Sequence, residues 1–426
     1  MSTLPGSETA LHLLYTRIGQ AALHTLNTDQ LPYHGDGVAE AARAAGLPGH
    51  LLRRLHFRSL GEVDGVRRSE CVWHLEAGGG AALDWRPDDI WDGPQRAWIA
   101  LARTPPTNVP WMHPGWHAGA LAWLDAELAA QGQARTGEPV ILKHAQISAL
   151  WRVPTAAGSV YFKAVPDFFA REVELTPALA RELEGAAPPV LAADTTRGFL
   201  LLGDAGEVVA ESLDLDAVMV HVAELQQQSL TLLPALALRD RGPEYVLGWL
   251  EHLFTDACLL NGQEGGFTPE EAQKLRELRP MLEAALLRLA ASSIPRTLGH
   301  GDLHGGNIVT RGGHFTLLDW SDVCRTHPFL DVNPAYFYPW QVDPPQAPLD
   351  AARDVYLRQW TAIAPLVDLR PLFADALVCG ELFRALGYVD GLQSAVEDKA
   401  EWRTAHLDHL RRVLRLTAAQ DWTWTP

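Results

Sequence analysis

The sequence predicts an α+β protein built in more than one piece, on three observations. At 426 residues the chain exceeds what one simple core holds, so two or three domains are expected. Short alternating apolar runs dominate residues 140–202, whereas apolar residues at three-and-four spacing dominate after Gly203. The first 130 residues mix both patterns and read as an additional N-terminal α/β domain. The expected organisation is therefore a mixed domain over 1–130, a small antiparallel-sheet lobe over 139–204, and a helical lobe over 205–426.

The elements follow in order. Leu11 to Ile18 reads as a strand, Gly37 to Ala45 as a short alanine-rich helix stopped by Gly46. Cys71 to Glu76 and Ala97 to Ala102 read as further strands. Pro105, Pro106, Pro110 and Pro114 interrupt regular structure before a helix over Trp116 to Gln131. Strands are expected at Val140 to Lys143, Ser148 to Val153 and Ser159 to Val165. A helix over Phe168 to Leu183 and strands near Val190 to Ala193 and Gly198 to Leu202 follow. Helices are expected at Leu215 to Leu230, Glu244 to Leu260, Pro269 to Ala291, Asp350 to Ala364, Arg370 to Tyr388 and Ala395 to Ala418.

Composition narrows the function classes. Acidic residues outnumber basic ones by 52 to 35, a formal charge of −17, which disfavours nucleic acid and anionic membrane as partners. Cys71, Cys258, Cys324 and Cys379 are scattered without a C-x-x-C pair, so four reduced thiols are expected rather than a zinc site or disulfide framework. The N-terminal residues lack a basic stretch followed by an apolar one, and no segment reads as a membrane span. A cytoplasmic protein is expected. The seventeen histidines show no metal spacing, and the fifteen tryptophans, among them Trp111, Trp116, Trp422 and Trp424, are read by default as packing residues, a stacking platform for a sugar or aromatic ligand being the alternative.

The chemistry concentrates in His300-Gly301-Asp302-Leu303-His304-Gly305-Gly306-Asn307, followed by Leu317-Leu318-Asp319-Trp320. Asn307 lies five residues after Asp302. The Gly305-Gly306 pair permits a tight loop aiming Asn307 back toward Asp302, glycine tolerating angles that other residues avoid. Ile308-Val309 and Thr316-Leu318 alternate into strands around the turn Arg311-Gly312-Gly313-His314, which delivers Asp319 to the same end. Carboxylate and amide oxygens suit magnesium, and a further carboxylate suits orientation of an attacking hydroxyl. Positioning and charge neutralisation of this kind are what phosphoryl transfer from a metal nucleotide requires.

This string resembles the aminoglycoside phosphotransferase family of protein-kinase-like small-molecule kinases, whose pattern is H-G-D-x-x-x-x-N, an apolar strand and I/L-D-W. Pro328-Phe329-Leu330-Asp331 is similar to the family's later P-x-x-D segment. The resemblance covers about residues 139–390 and implies a protein-kinase-like two-lobed fold. It implies Asp302 as catalytic base, Asn307 and Asp319 as metal ligands, and His300 and Asp331 as supports of the catalytic loop. By the same resemblance Lys163, in Tyr161-Phe162-Lys163-Ala164-Val165, contacts nucleotide phosphates and pairs with Glu172, Glu174 being the fallback. Leu202 and Asp204 fall at the hinge that receives adenine, and Ser148 is a candidate phosphate contact, since Lys143 to Ser148 carries no glycine.

The reading is an ATP- and magnesium-dependent transfer of the γ-phosphoryl group to a hydroxylated small molecule, an amine-bearing sugar or amino-alcohol favoured. Acceptor contacts are expected in the helices after 331, with Glu381 and Asp390 as candidates. A nucleotide-binding pseudokinase acting as a regulatory or scaffold protein is the alternative; the intact acidic set favours the enzyme. The N-terminal segment looks like a Nudix-type domain. Of that family's metal-binding glutamates, residues 39–47 retain only Glu40, which implies a catalytically empty domain used for packing or binding.

Overall fold

The computed structural model describes residues 6–29, 33–78, 82–208, 213–338 and 344–419. Contacts divide the chain into two compact units, residues 1–173 with 190–204 and residues 174–189 with 205–426. Trp422 and Trp424 lie outside the described residues.

The first unit contains two five-stranded sheets. Strands β1 (Gly6–Arg17), β2 (Gln20–Thr28), β3 (His50–Val63), β4 (Val66–Glu76) and β5 (Arg86–Pro87) form the first, in the order β3-β4-β1-β2-β5. Only β1 and β4 run parallel in it. Helices α1 (Val38–Ala44), α2 (Gly93–Ala102) and α3 (Trp116–Ala130) accompany this sheet. The second sheet, β6 (Val140–His144), β7 (Ala149–Thr155), β8 (Gly158–Ala164), β9 (Val190–Asp194) and β10 (Phe199–Gly203), is antiparallel throughout, in the order β6-β7-β8-β10-β9. Helix α4 (Ala170–Glu182) follows β8.

Two expectations fail here. Ala97 to Ala102 is helical, not a strand: Pro94 occupies the first turn of α2, and Trp98, Ile99 and Ala102 bury one helical face. Strands β2 and β3 are additions to the expected elements, because polar residues interrupt their alternation. The signal for β3–β4 is Asp64-Gly65, both at positive φ (53° and 74°), the two-residue turn that matches strand twist.

One apolar cluster runs through both sheets. Leu11, Tyr15, Trp73, Trp111 and Trp123 belong to it together with Trp151, Phe162 and Phe199. Trp116 and Trp123 on α3 meet Phe162 and Phe199 of the second sheet at ring separations of 5.3–6.2 Å. Such aromatic contacts add about 0.5–1.5 kcal/mol each beyond the area they bury. Tryptophan is therefore packing material here, as expected.

The second unit is helical apart from two small sheets. It comprises β11 (Glu207–Val208), α5 (Leu215–Gln228), α6 (Pro243–Leu253), α7 (Asp256–Leu259), α8 (Pro269–Glu277) and α9 (Arg279–Ala291). After these come β12 (Thr297–Gly299), β13 (Ile308–Arg311), β14 (His314–Leu317), β15 (Cys324–Thr326) and α10 (Pro328–Asp331). The described residues end with α11 (Gln346–Arg358), α12 (Leu366–Leu386), α13 (Gln393–Ala395) and α14 (Ala405–Ala419). The sheets are β11-β13-β14 and β12-β15. The helix expected over Pro269 to Ala291 breaks at Leu278, where Pro280 opens a new first turn. The last helix begins at Ala405 rather than Ala395. Helix α12 is buried along most of its length, and its continuation over Gly387–Leu392 widens into a π turn.

Among the described residues no helix is long and apolar enough to cross a membrane. None of the four cysteines, three of them buried, forms a disulfide.

Candidate functional site

In the first unit, β8 carries Lys163 inward among apolar neighbours, 7% exposed. A buried ammonium needs a counter-charge. Glu172, in the first turn of α4, supplies it: Lys163 Nζ donates to Glu172 Oε1 at 2.6 Å. The partner is Glu172, the residue first expected for it. Cross-strand register places Ala164 opposite Ala149 and Lys163 opposite Leu150, so the turn 145–148 lies at the same end of the sheet as Lys163.

That turn is not a loose loop. Ser148 is 4% exposed, and the Ala145 amide donates to the Ser148 carbonyl at 3.0 Å. N-terminal residues grip it from outside: the His144 amide donates to the His34 carbonyl at 2.7 Å, and Trp111 Nε1 to the Ala145 carbonyl at 2.8 Å. His144 Nε2 donates to the Leu52 carbonyl at 3.0 Å. Leu202 sits in β10 opposite Tyr161, and Asp204 follows that strand where the chain passes into the second unit.

The second unit brings the acidic motif together. His300 is buried at the end of β12, its ring donating from Nε2 to the Leu318 carbonyl at 2.7 Å. Its Nδ1 accepts from the Asp302 amide at 3.3 Å. Burial holds the imidazole below its ordinary range despite the neighbouring carboxylates, so the neutral ring serves both bonds. Asp331 on α10, 2% exposed, accepts from the amides of His300 (2.7 Å) and Gly301 (2.8 Å). Gly301 has φ +84°, and a Cβ there would lie 2.3 Å from the Asp322 carbonyl, so only glycine fits.

Asn307 folds back as the spacing predicts: its Nδ2 donates to the Asp302 carbonyl at 2.9 Å, leaving the amide oxygen available as a ligand. The reason for the glycines differs from the expected one. Neither Gly305 nor Gly306 has positive φ; what they supply is room, since a Cβ on Gly306 would meet the His304 ring at 2.8 Å. The β13–β14 turn at Gly312-Gly313 forms as expected, with φ values of 58° and 84°. Leu318 then donates its amide to the Asn307 carbonyl at 2.8 Å, and Asp319 follows at φ +61°, which turns the chain away from the strand. Asp302, Asn307 and Asp319 thus share one end of a hairpin.

Two charged residues outside the motif stand beside it. Arg384 on α12 donates from Nη1 to Asp302 Oδ1 at 3.2 Å. Desolvation pushes the Asp302 carboxyl up, but the His304 ring beside it and the Arg384 charge outweigh it and hold the group below the usual carboxylate range. Asp322 is pushed up to about 7 by desolvation and by the charges of Asp302 and Asp319, against the pull of Arg241. Proximity to the motif is a usable signal for Asp322, three residues past Asp319. Arg384, about eighty residues past Asp302, carries no local signal.

Glu381 and Asp390, the expected acceptor contacts, are both engaged by other side chains of the protein. Glu381 is 1% exposed and accepts from Tyr336 (2.6 Å), His409 (2.8 Å) and Asn333 (3.3 Å). Asp390 is taken up by Tyr245 and Arg239. In the N-terminal helix, Glu40 pairs with Arg43 at 3.2 Å.

Among the described residues no group of three or more histidine, cysteine or acidic side chains is gathered as a metal cage. Asp319 and the Asn307 amide offer two oxygen donors, a set that fits magnesium, which keeps waters and phosphate oxygens for its remaining positions.

No curated protein sequence matches the chain. Among solved structures, a choline/ethanolamine kinase family protein from Mesorhizobium loti is similar at a TM-score of 0.50 and 14% identity, covering 71% of this chain and 97% of that one. Choline kinase from Cryptosporidium parvum is similar at 0.47 and 14%, covering 65% and 89%. A macrolide 2'-phosphotransferase from Brachybacterium faecium gives 0.43 and 17%, covering 68% and 97%. The Mesorhizobium likeness shows the protein-kinase-like fold. The model of the phosphotransferase enzyme family matches residues 148–366, just over half of the chain. The chain belongs to the phosphotransferase enzyme family, and its fold is protein-kinase-like.

Proposed function

We propose that the chain transfers the γ-phosphoryl group of ATP to a hydroxyl of a small molecule, with an amine-bearing sugar or amino-alcohol as the favoured acceptor. The observation that carries this is the closure of residues 302–319 on themselves: Asn307 bonded to the Asp302 carbonyl, Leu318 to the Asn307 carbonyl, and Asp319 next in the chain. Asp302 orients the acceptor hydroxyl and takes its proton. As the acceptor oxygen bonds to the γ-phosphorus, the bond from phosphorus to the bridging oxygen breaks and ADP leaves with that electron pair. Asn307 and Asp319 would hold magnesium, which neutralises phosphate charge when bound. Lys163, fixed by Glu172, contacts the phosphates, with Ser148, Leu202 and Asp204 toward the nucleotide. His300 and Asp331 support the loop. The Asp302 carboxylate favours a cationic acceptor.

In this reading residues 1–130 are an appended domain, 139–204 the nucleotide-side lobe, and 205–426 the lobe bearing the acceptor site. The test is phosphorylation of a panel of hydroxylated amines and sugars, with products identified by mass. Asp302→Ala is expected to abolish turnover and leave nucleotide binding largely in place; unchanged activity in that variant ends the assignment.

A further inference from the structure

Arg384 is an expensive residue for a helix core. It is 7% exposed on α12, where an apolar side chain would fill the space without desolvating a guanidinium. Its hydrogen bonds explain the expense. Nη1 reaches Asp302 Oδ1 at 3.2 Å, and Nη2 reaches the Leu303 carbonyl at 2.5 Å. One planar fork thus holds both the side chain of residue 302 and the backbone just after it.

The fork is itself held. Its guanidinium carbon lies 4.2 Å from the centre of the Tyr336 ring. The Tyr336 hydroxyl donates to Glu381 at 2.6 Å, and Glu381 stands three residues before Arg384 on the same helix. His409 of α14 closes the chain onto Glu381 at 2.8 Å. Glu381 thus has a place beside the loop: it anchors the ring on which Arg384 rests. Asp331 holds the amides of residues 300 and 301, and Arg384 holds residues 302 and 303, so the loop is gripped from both ends.

We propose that Arg384 is a positioning residue for phosphoryl transfer, engaging Asp302 Oδ1 so that Oδ2 is presented to the acceptor hydroxyl. The inference rests on the reading of Asp302 as the group that takes the hydroxyl proton. Oδ2 has His304 Nε2 at 3.5 Å, a separation that leaves it open to a closer partner. Lysine cannot replace arginine here, because a single ammonium lacks the two parallel donors that span the carboxylate and the Leu303 carbonyl.

The test uses the full chain with ATP, magnesium and the panel acceptor that turns over fastest. Arg384→Ala is expected to lower kcat about 10²-fold, the cost of a small misplacement of a reacting group, with KM for ATP and for the acceptor within about twofold of the parent. Added guanidinium ion at millimolar concentration is expected to recover several-fold of the loss. Arg384→Lys is expected to resemble Arg384→Ala without that recovery, and it keeps the test open should the alanine variant not fold. Wild-type kcat in either variant, or a loss that guanidinium does not touch and that moves both KM values equally, overturns the proposal. Asp302→Asn separates the two levels: if it is inactive while Arg384→Ala is fully active, only the positioning role falls; if it is active, the reading of Asp302 falls first.

Discussion

Lys163 Nζ lies 2.6 Å from Glu172 Oε1, with both side chains withdrawn from solvent. This ion pair ties strand β8 to the first turn of α4, beside the apolar contact of Val165 with Val173. Removing the carboxylate deprives a buried ammonium of its counter-charge, which costs far more than the pair itself contributes. Glu172→Ala is expected to destabilise the chain by about 3–5 kcal/mol in denaturant unfolding. Glu172→Gln, which keeps the shape and a hydrogen-bonding oxygen, is expected to cost less.

Asp319 combines a ligand with a backbone constraint, and substitutions separate the two. Asp319→Gly keeps φ +61° without strain but removes the carboxylate; Asp319→Ala removes the carboxylate and adds about 1–2 kcal/mol of left-handed backbone cost. Both are expected to lose turnover at least about 10²-fold and to need more magnesium for what remains. Thermal unfolding should rank the glycine variant above the alanine variant. Chelation of magnesium with EDTA is expected to stop the parent enzyme reversibly.

His144 makes the first unit acid-sensitive. Burial lowers its pKa to about 4, against an ordinary value of 6.5, although its bond to the Leu52 carbonyl works the other way. The unfolded chain therefore takes up the proton first as pH falls. Stability is complete above pH 6.5, declines between 6.5 and about 4, and levels off below, a change of about 3 kcal/mol from this residue. His74 and His117, each lowered to about 3 chiefly by burial, act in the same direction. His144→Asn is expected to flatten part of the decline of Tm between pH 6.5 and 4; an unchanged slope would assign the acid sensitivity elsewhere.

Trp111 Nε1 holds the carbonyl of Ala145 within the turn that lies beside Lys163. Trp111→Phe removes the donor and keeps an aromatic ring in the pocket. The loss of one such bond is worth about 1 kcal/mol, or about fivefold in affinity. KM for ATP is expected to rise by about that factor, while KM for the acceptor stays unchanged. A shift in acceptor KM alone would place the effect of the turn elsewhere.

Much of this is legible in the amino-acid sequence itself. The spacing of Asp302, Asn307 and Asp319 forecasts their meeting, because a five-residue loop and a hairpin turn are local geometry. Lys163 and Glu172 are equally legible, being a polar residue in an apolar strand and an acid in the following helix. Arg384 and Tyr336 are not: Arg384 reaches the loop through the packing of α12 and Tyr336 from the turn 334–337, and long-range packing leaves no local pattern. The failures in the N-terminal segment have another cause. Ala97 to Ala102 satisfies both periods, and only Pro94 with its helical neighbours decides between them. The expected rationale for Gly305 and Gly306 fails because steric room and backbone angle both select glycine.

The apolar cluster that runs from Leu11 and Trp73 through Trp111 and Trp123 to Trp151 and Phe162 has a practical meaning for anyone who wishes to shorten the protein. A fragment starting near residue 139 would keep every motif residue and still strip Trp151 and Phe162 of their cover. It would be sticky and prone to precipitate, so the leading third of the chain is a chaperoning lid on its own sheet and travels with it.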